Sequence, residues 1–427
     1  MISSEFEKMT IARVTRRLLP FLLLLYFISW LDRANLTFAA KTMRADLGIG
    51  DAAYGFGAGI FYIGYALCEV PSNLILARVG ARFWIARIMI TWGLVSAAMM
   101  FVQGPLSFYG MRFLLGVAEA GFLPGIIYYL SQWFPASERA RAVSYFMTAI
   151  PLSIAVGAPI SGLLLEMDGM YGLQGWQWMY LLEGLPAVIL GVVVLGFLTD
   201  FPAHAKWLSA EQRAWLTERI RDEQAQAESR HGVSLRKVLL HPVVWMLALV
   251  MFACQTGSYG LTYWVTQVLD KASNLSQLNI ILLTAVPYAA AALGMVLLSR
   301  SSDRRNERVW HIVIPTIIGA AGFIATGYLH SLVPALIALS IAAIGDYSTR
   351  GPFWAVPGKF LTGSAAAAGI GFINSFAAIG GFIGPYAIGL MRQATGNFES
   401  GMLMLALILL VGALLMVRLR NTKELAH

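Results

Sequence analysis

The sequence contains few charged residues and few cysteines. Only 13% of the 427 residues are charged and 58% are hydrophobic, whereas soluble domains carry about a quarter charged residues. So few charges cannot cover a water-soluble protein of this size, and we infer that lipid covers much of the surface. Cys68 and Cys254 lie in apolar segments without metal-ligand spacing, and the six histidines are scattered. The sequence therefore predicts no metal site and no cofactor.

Long apolar segments recur along the chain. A helix needs about 20 mostly apolar residues to cross the hydrocarbon core, and its backbone polar groups must be satisfied within the segment. These properties predict an all-α polytopic membrane protein with twelve transmembrane helices. Glycines in spans two and eleven, such as Gly55 and Gly389, predict close helix packing. The predicted spans are 18–40, 52–77, 84–103, 106–134, 142–166, 178–199, 242–269, 275–299, 310–329, 332–359, 365–391 and 400–418.

Basic residues are distributed unevenly between the two sides of this predicted topology. With the N-terminus in the cytoplasm, the predicted outer segments contain only Lys41, Arg44, Lys271 and Arg392, and most other basic residues fall in cytoplasmic segments. This bias follows the positive-inside rule and predicts that both termini are cytoplasmic. It also explains the formal charge of +8. We therefore expect the lipid bilayer as a partner, and no nucleic acid.

The longest hydrophilic stretch divides the spans into two sets of six. We predict an N-terminal six-helix bundle at 1–199, a cytoplasmic linker at 200–241 and a C-terminal six-helix bundle at 242–427. Ser209 and Gln212 have the spacing of a capping box, which predicts an amphipathic helix in the linker. Two bundles joined in this way are typical of a transporter whose halves rock around a site near the bilayer midplane.

Several ionisable residues lie inside the predicted spans, where charge is costly and usually functional. At 1.5 Å per residue, Asp32 is ~21 Å from the cytoplasmic start of span one, and Arg112 is ~9 Å below the outer end of span four. These depths are similar in a core of ~30 Å, so we expect that the two residues can pair. Glu183 lies near a span end, where we expect water to reach it. The intramembrane charges are Asp32, Arg33, Glu69, Arg112, Glu119, Asp346 and Arg350.

These charges indicate proton coupling and anion binding. The proton affinity of a buried carboxylate depends on its neighbours and its hydration, so bundle motion can make Asp32 and Glu119 bind or release protons. Arg33 points about 100° away from Asp32 around the helix, and its fork suits a carboxylate ligand. A structural interpretation is also open, in which an Asp32–Arg112 pair, Glu119 or Arg33 only joins helices.

Span ten and the aromatic residues supply further candidates. Asp346 and Arg350 are four residues apart, so they either neutralise each other on one helix face or belong to a site. Aromatic residues in helices that also carry polar residues are candidates for substrate contact, although packing alone explains any single one. These aromatic candidates are Tyr65, Tyr259, Trp264 and Trp354.

Specific motifs are distributed over nearly the whole chain. They are LDRANLTFAA (31–40), EVPSNLILARVGARFWIARIMITWG (69–93), RFLLGVAEAGFLPG (112–125), YGLTYW (259–264), SSDRR (301–305), PFWAVP (352–357) and LTGSAAAAGIGFINSFAAIGGFIGPYAIG (361–389). Together these segments resemble the major facilitator superfamily. Within it, they are similar to the anion:cation symporter family, especially its bacterial tartrate, phthalate and hydroxyphenylacetate permease branch.

This resemblance implies a proton-driven importer of a small organic carboxylate in the bacterial inner membrane. The substrate would be an aromatic acid, a sugar acid or a tartrate-like hydroxy acid, and the proton would be the coupling ion. The resemblance implies that Asp32 and Glu119 are protonation sites, that Arg112 partners Asp32, and that Arg33 meets the substrate carboxylate. We also expect a monomer. The pocket residues that it implies are Tyr65, Trp354 and Asn374.

The sequence also departs from the family pattern. The loop between spans two and three usually carries a glycine and an acidic residue, but Asn73 and Ala77 stand there. Residues 346–350 are more polar than the branch leads us to expect. Arg350 is therefore a candidate for a second anion contact, which would suit a dianion.

Two other functional classes are alternatives to an importer. An antiporter or exporter of organic anions or drugs would have the same fold, and Gly157, Pro159 and Gly162 in span five partly match the glycine-proline signature of antiporters. An intramembrane enzyme is not predicted, because no Ser/His or His/Asp pair lies at facing depths and no GxSxG motif occurs.

Overall fold

All regular secondary structure in the described part of the chain is helical. The computed structural model describes residues 4–229, 240–357 and 363–420. Within these ranges, 12 helical segments are long and apolar enough to cross a membrane, which confirms the predicted number of spans. The helices are α1 (Ser4–Leu47), α2 (Asp51–Val79), α3 (Ala81–Ala98), α4 (Pro105–Glu119), α5 (Phe122–Ser131), α6 (Ala136–Met147), α7 (Ala149–Leu165), α8 (Gly175–Phe197), α9 (Ala210–Ser229), α10 (Pro242–Lys271), α11 (Gln277–Arg305), α12 (Trp310–Tyr328), α13 (Leu332–Tyr347), α14 (Arg350–Ala355), α15 (Gly363–Thr395) and α16 (Glu399–Arg420).

The first helix is longer than the predicted span. α1 has 44 residues and is therefore ~66 Å long, about twice the hydrocarbon core. Its N-terminal part lies beside the linker helix α9, where the ring centroids of Phe6 and Trp215 are 6.2 Å apart. Both bonds of the predicted capping box form at the start of α9: Ser209 N–H donates to Gln212 Oε1 and Gln212 N–H donates to Ser209 Oγ, each at 3.2 Å.

Three of the predicted spans are interrupted rather than continuous. Span four divides into α4 and α5 at Ala120 and Gly121, and the φ of Gly121 is +85°, which glycine adopts without strain. Ser72 Oγ donates to the Ala120 carbonyl at 2.7 Å, so α2 stabilises this break. Span ten divides into α13 and α14 at Ser348 and Thr349, and span five divides into α6 and α7. Hydropathy gives no sign of the break in span four, whereas the break in span ten lies within the polar residues 346–350.

The two halves of the protein meet along a few helix pairs. Within the N-terminal half α3 packs on α8 and α2 on α4, and within the C-terminal half α10 packs on α15 and α12 on α13 and α16. Between the halves, α2 contacts α15, α7 contacts α11 and α1 contacts α10. The α2–α15 crossing needs glycine, because a β-carbon at Gly55 would overlap the Pro385 carbonyl and one at Gly389 would overlap the Asp51 carbonyl.

Charged residues join the two halves at the end of the bundle where α1 finishes. Asp51 pairs with Arg44 at 2.5 Å and with Arg392 at 3.1 Å. Gln267 of α10 accepts hydrogen bonds from both arginines. We refer to Arg44, Asp51, Gln267 and Arg392 as the closure cluster, because they tie α1 and α2 to α10 and α15 at this end.

Candidate functional site

A buried ion pair joins Arg33 to Glu119. Glu119 is the last residue of α4 and is 1% exposed. Its Oε1 accepts a hydrogen bond from Arg33 Nε at 2.9 Å and another from Ser29 Oγ at 2.6 Å. Ser29 and Arg33 are one turn apart, so α1 presents both donors to the end of α4. The arginine that was predicted to meet a substrate carboxylate therefore meets a protein carboxylate in this structure.

Aromatic rings surround the Arg33 guanidinium. The Cζ of Arg33 is 5.4 Å from the ring centroid of Tyr65, 5.5 Å from that of Trp30 and 5.6 Å from that of Phe61. Such contacts hold a cation by the electrostatic field of the ring face. Tyr259 of α10 reaches this group through Tyr62, whose ring centroid is 4.3 Å from that of Tyr259 and 5.0 Å from that of Phe61. The structure thus brings together three of the predicted substrate residues, Arg33, Tyr65 and Tyr259, from both halves.

Asp32 is surrounded by neutral hydrogen-bond donors. It is 2% exposed, and its Oδ2 accepts from Trp92 Nε1 at 2.5 Å. Its Oδ1 accepts from Ser96 Oγ at 2.9 Å and from Asn35 Nδ2 at 3.4 Å. Two of these donors come from α3, so Asp32 faces the interior of the N-terminal half. Three donors satisfy a carboxylate without a counter-ion.

The expected ion pair between Arg112 and Asp32 is not formed in the described part of the chain. Arg112 Nε instead donates to the Gly57 carbonyl at 3.2 Å, and its Nη2 reaches the Tyr263 hydroxyl of the other half at 3.4 Å. Its Cζ lies 5.0 Å from the ring centroid of Phe61. Arg112 therefore faces α2 and α10, whereas Asp32 faces α3. The depth estimate fixed the height of each residue but not the side of the helix on which it lies.

A second polar cluster lies in the C-terminal half, at the break between α13 and α14. Arg350 Nη2 donates to Gln255 Oε1 at 3.2 Å and to Ser258 Oγ at 2.5 Å. Ser258 Oγ also bonds to Asp346 Oδ2, which is 3.9 Å from Arg350 Nη2. Ser258 therefore bridges Asp346 and Arg350, which also lie within ion-pair distance of each other. Arg350 Nε is buried without a hydrogen-bond partner, which leaves the arginine with a donor for a further acceptor.

Glu69, one turn after Tyr65 on α2, links the two halves. It is 4% exposed, and it accepts hydrogen bonds from Asn374 Nδ2 at 3.2 Å and from Ser375 Oγ at 3.1 Å. Asn374, a predicted substrate residue, is thus engaged by a carboxylate of α2. This contact joins α2 to α15 away from the closure cluster.

The structure places two predicted substrate residues away from Arg33. Trp264 is completely buried beside the closure cluster, where its ring centroid is 5.4 Å from Arg392 Cζ and its Nε1 donates to the Pro385 carbonyl at 3.0 Å. Trp354 packs against Phe353 and the hydrophobic core of the C-terminal half. Both tryptophans are therefore held by packing contacts, which was the simpler explanation for an aromatic residue in a span.

Several residues of these clusters were not found from the sequence. Ser29, Trp92 and Ser258 are uncharged, and such residues are common in apolar spans, so no signal marks them. Glu183 was expected to meet water at a span end, but it is 2% exposed and accepts a hydrogen bond from Ser161 Oγ at 2.6 Å. That expectation is wrong, because α8 begins before the predicted span and the surrounding helices cover the carboxylate.

Two helical bundles that meet around buried arginine and carboxylate side chains define a polytopic membrane transporter, not an enzyme. The chain belongs to the Major Facilitator Superfamily, whose family model matches residues 22–385. The family that the motifs resemble is thereby confirmed.

Known relatives agree with this assignment and with the anion-transporting branch. The chain is 49% identical over 427 residues to a protein of Agrobacterium vitis named "Putative tartrate transporter", covering 100% of this chain and 94% of that protein. It is 43% identical over 412 residues to a "Quinolone resistance transporter" of Acinetobacter baumannii, covering 96% of this chain and 95% of that protein.

A solved structure shares the fold. The crystal structure of a bacterial homologue of the human lysosomal transporter Spinster, described as inward-facing and occupied, superposes with a TM-score of 0.78 at 18% identity. The match covers 95% of this chain and 97% of that one.

Proposed function

We propose that this protein is a proton-coupled symporter that imports a small organic carboxylate across the bacterial inner membrane by alternating access. The observation that carries the proposal is the ion pair between Arg33 and Glu119. A substrate carboxylate that binds Arg33 has to compete with Glu119 for the same guanidinium. Protonation of Glu119 removes the competing charge, so proton binding and anion binding favour each other.

Asp32 is proposed as the second protonation site. Its carboxylate is buried and receives three hydrogen bonds, from Trp92, Ser96 and Asn35. A proton on Asp32 would reverse the role of one oxygen from acceptor to donor and force these neighbours to rearrange. Because the donors lie on α1 and α3, that rearrangement would act on packing within the N-terminal half. Arg112 is then not a partner of Asp32 but a tether between α2 and Tyr263.

The arrangement of the two arginines favours a substrate with two acidic groups. Arg33 lies in the N-terminal half and Arg350 in the C-terminal half, and Tyr259 follows Ser258, which accepts a hydrogen bond from Arg350. Arg350 also has the buried Nε donor without a partner. A hydroxy dicarboxylate could place one carboxylate on each arginine and a hydroxyl near Tyr259. The name of the Agrobacterium vitis relative points to the same class of compound.

Orientation and energy source follow from the charge distribution. With both termini in the cytoplasm, the closure cluster would lie on the outer side of the membrane. Proteins of this class expose the site to one side at a time, and the halves rock around it. Each net positive charge that moves inward gains about 2.3 kcal/mol per 100 mV. Import of a dianion with more than two protons would therefore be driven by voltage as well as by the pH gradient.

A drug or organic anion exporter of the same fold is the second candidate. The observation in its favour is the 43% identity to the protein named "Quinolone resistance transporter". An exporter would be driven by inward proton movement against outward substrate movement. It would accumulate a quinolone in inside-out vesicles when the lumen is acidified, whereas a symporter would release its anion under that gradient.

Uptake by proteoliposomes tests the proposal. Labelled tartrate, 4-hydroxyphenylacetate and a sugar acid are offered with an imposed inward proton gradient to the wild type, to Asp32→Asn and to Asp222→Asn. Asp222 is an exposed residue of α9 and serves as the matched control. We expect gradient-driven accumulation by the wild type and the control. Asp32→Asn should lose accumulation but retain exchange of substrate for substrate. Equal accumulation by Asp32→Asn would mean that Asp32 is structural.

A further inference from the structure

A groove with a strongly basic wall lies beside the N-terminal part of α1, far from the candidate site. It has a volume of about 950 Å³ and runs between α1 and the segment that follows α8. Arg13, Arg16 and Arg17 supply its charge, and among the described residues that line it none is acidic. Three cations and no carboxylate among the described lining residues favour an anionic ligand.

Arg17 is held in place with unused donors. Its Cζ is 4.7 Å from the ring centroid of Phe197 and 5.1 Å from that of Trp207. Contacts with ring faces leave the N–H groups at the edge of the guanidinium free to bind an oxygen ligand. Arg17 Nε and Trp207 Nε1 are both buried without a hydrogen-bond partner. Buried donors are nearly always satisfied in native proteins, so an acceptor that enters the groove would explain both.

The groove changes from basic to apolar along α1. Beyond Arg17 it is lined by Pro20, Phe21 and Leu24, and Leu24 is 42% exposed. The predicted first span begins at position 18, so the change coincides with the boundary between headgroups and hydrocarbon. A ligand that fills the whole groove must therefore carry an anionic group at one end and a hydrocarbon chain at the other.

We propose that this groove binds one anionic phospholipid of the cytoplasmic leaflet, a site that rests on the orientation proposed above. The phosphate would lie among Arg13, Arg16 and Arg17, with an acyl chain along Phe21 and Leu24. Basic pockets on the cytoplasmic side of membrane helices are suited to such headgroups. Free phosphate would satisfy the arginines but would leave the apolar end of the groove uncovered.

Native mass spectrometry of the detergent-solubilised protein titrated with phosphatidylglycerol tests this inference. Two variants remove the same charge: Arg13→Gln with Arg16→Gln in the groove, and Arg304→Gln with Arg305→Gln at the end of α11. All four arginines are exposed, so folding should be unaffected, and thermal unfolding of both variants checks this. Each basic residue near an anionic lipid contributes about fivefold in affinity, so the groove variant should bind phosphatidylglycerol about 30-fold more weakly. The α11 variant should bind it like the wild type.

Three results would overturn the proposal. Equal losses in both variants would mean that the lipid responds only to overall charge. Displacement of phosphatidylglycerol by millimolar inorganic phosphate, with no effect of acyl chain length, would mean a site for a free anion. Retention of phosphatidylcholine as strongly as phosphatidylglycerol would mean that the arginines do not select the headgroup.

Discussion

Replacing Glu119 with glutamine should make substrate binding independent of pH. In the wild type, Glu119 holds Arg33 through the 2.9 Å bond, and in the proposed mechanism a substrate carboxylate must displace it. In that mechanism a proton on Glu119 removes the competing charge and frees Arg33. Glutamine imitates the protonated state at every pH, because it keeps a similar shape and carries no charge. The variant should therefore bind the substrate as tightly at high pH as the wild type does at low pH.

The size of this effect can be worked from the contact that is lost. A hydrogen bond to a charged group contributes about 1.5–3 kcal/mol, and tenfold in affinity corresponds to about 1.4 kcal/mol. Competition by Glu119 should therefore weaken substrate binding about 10- to 150-fold when the carboxylate is ionised. Ser29 also bonds to Glu119, but a serine hydroxyl can bond to glutamine as well and should not alter this difference.

Equilibrium binding of labelled tartrate to purified protein, measured between pH 5.5 and 8.5, is the appropriate assay. Glu166→Gln is the matched control, since Glu166 is exposed at the end of α7. The control should keep the pH dependence of the wild type. Glu119→Gln should also exchange substrate but fail to accumulate it under a proton gradient. Uniformly weaker binding by Glu119→Gln would refute the reasoning, since Glu119 would then support Arg33 rather than compete for it.

Three further predictions concern other parts of the molecule. Arg350→Gln should weaken dicarboxylate binding about 10- to 150-fold through loss of one charge-assisted bond, and leave monocarboxylates unaffected in competition assays. Gly55→Leu should slow exchange about 5- to 140-fold, because overpacking against the Pro385 carbonyl costs about 1–3 kcal/mol. Gly196→Leu, where the added β-carbon meets nothing within 4 Å, should exchange normally. Ser209→Ala should destabilise α9 by about 0.5–2 kcal/mol, which limited proteolysis of the linker would detect as faster cleavage.

The sequence was sufficient to predict the number of membrane helices and the linker helix. Both depend on local properties: apolar runs of membrane length, and the capping-box spacing of Ser209 and Gln212, whose two hydrogen bonds both form. The breaks after Glu119 and Tyr347 were not predicted. The break after Glu119 depends on a left-handed glycine and on a serine from another helix, and hydropathy contains no information about either.

Contacts between distant residues were predicted less well. The rise per residue of an ideal helix gives only the depth of a residue in the membrane. Asp32 and Arg112 were therefore placed at a similar depth and were expected to be able to pair. In the structure their side chains lie on different sides of their helices. Arg33 and Glu119, separated in estimated depth by ~12 Å, do form an ion pair. A depth estimate on ideal upright helices leaves out the length of the arginine side chain and any tilt of the helices.

The position of Glu119 gives its protonation two consequences at once. Glu119 ends α4, and the next two residues form the break that separates α4 from α5. While Glu119 is ionised, Ser29 and Arg33 hold this joint against α1. A proton on Glu119 would release Arg33 for the substrate and would also free the joint between α4 and α5 from α1. If the same carboxylate controls both events, the joint would stay fixed against α1 whenever an anion binds Arg33 while Glu119 carries no proton. Coupling between proton and substrate would then follow from one residue at the end of one helix, without communication over a distance.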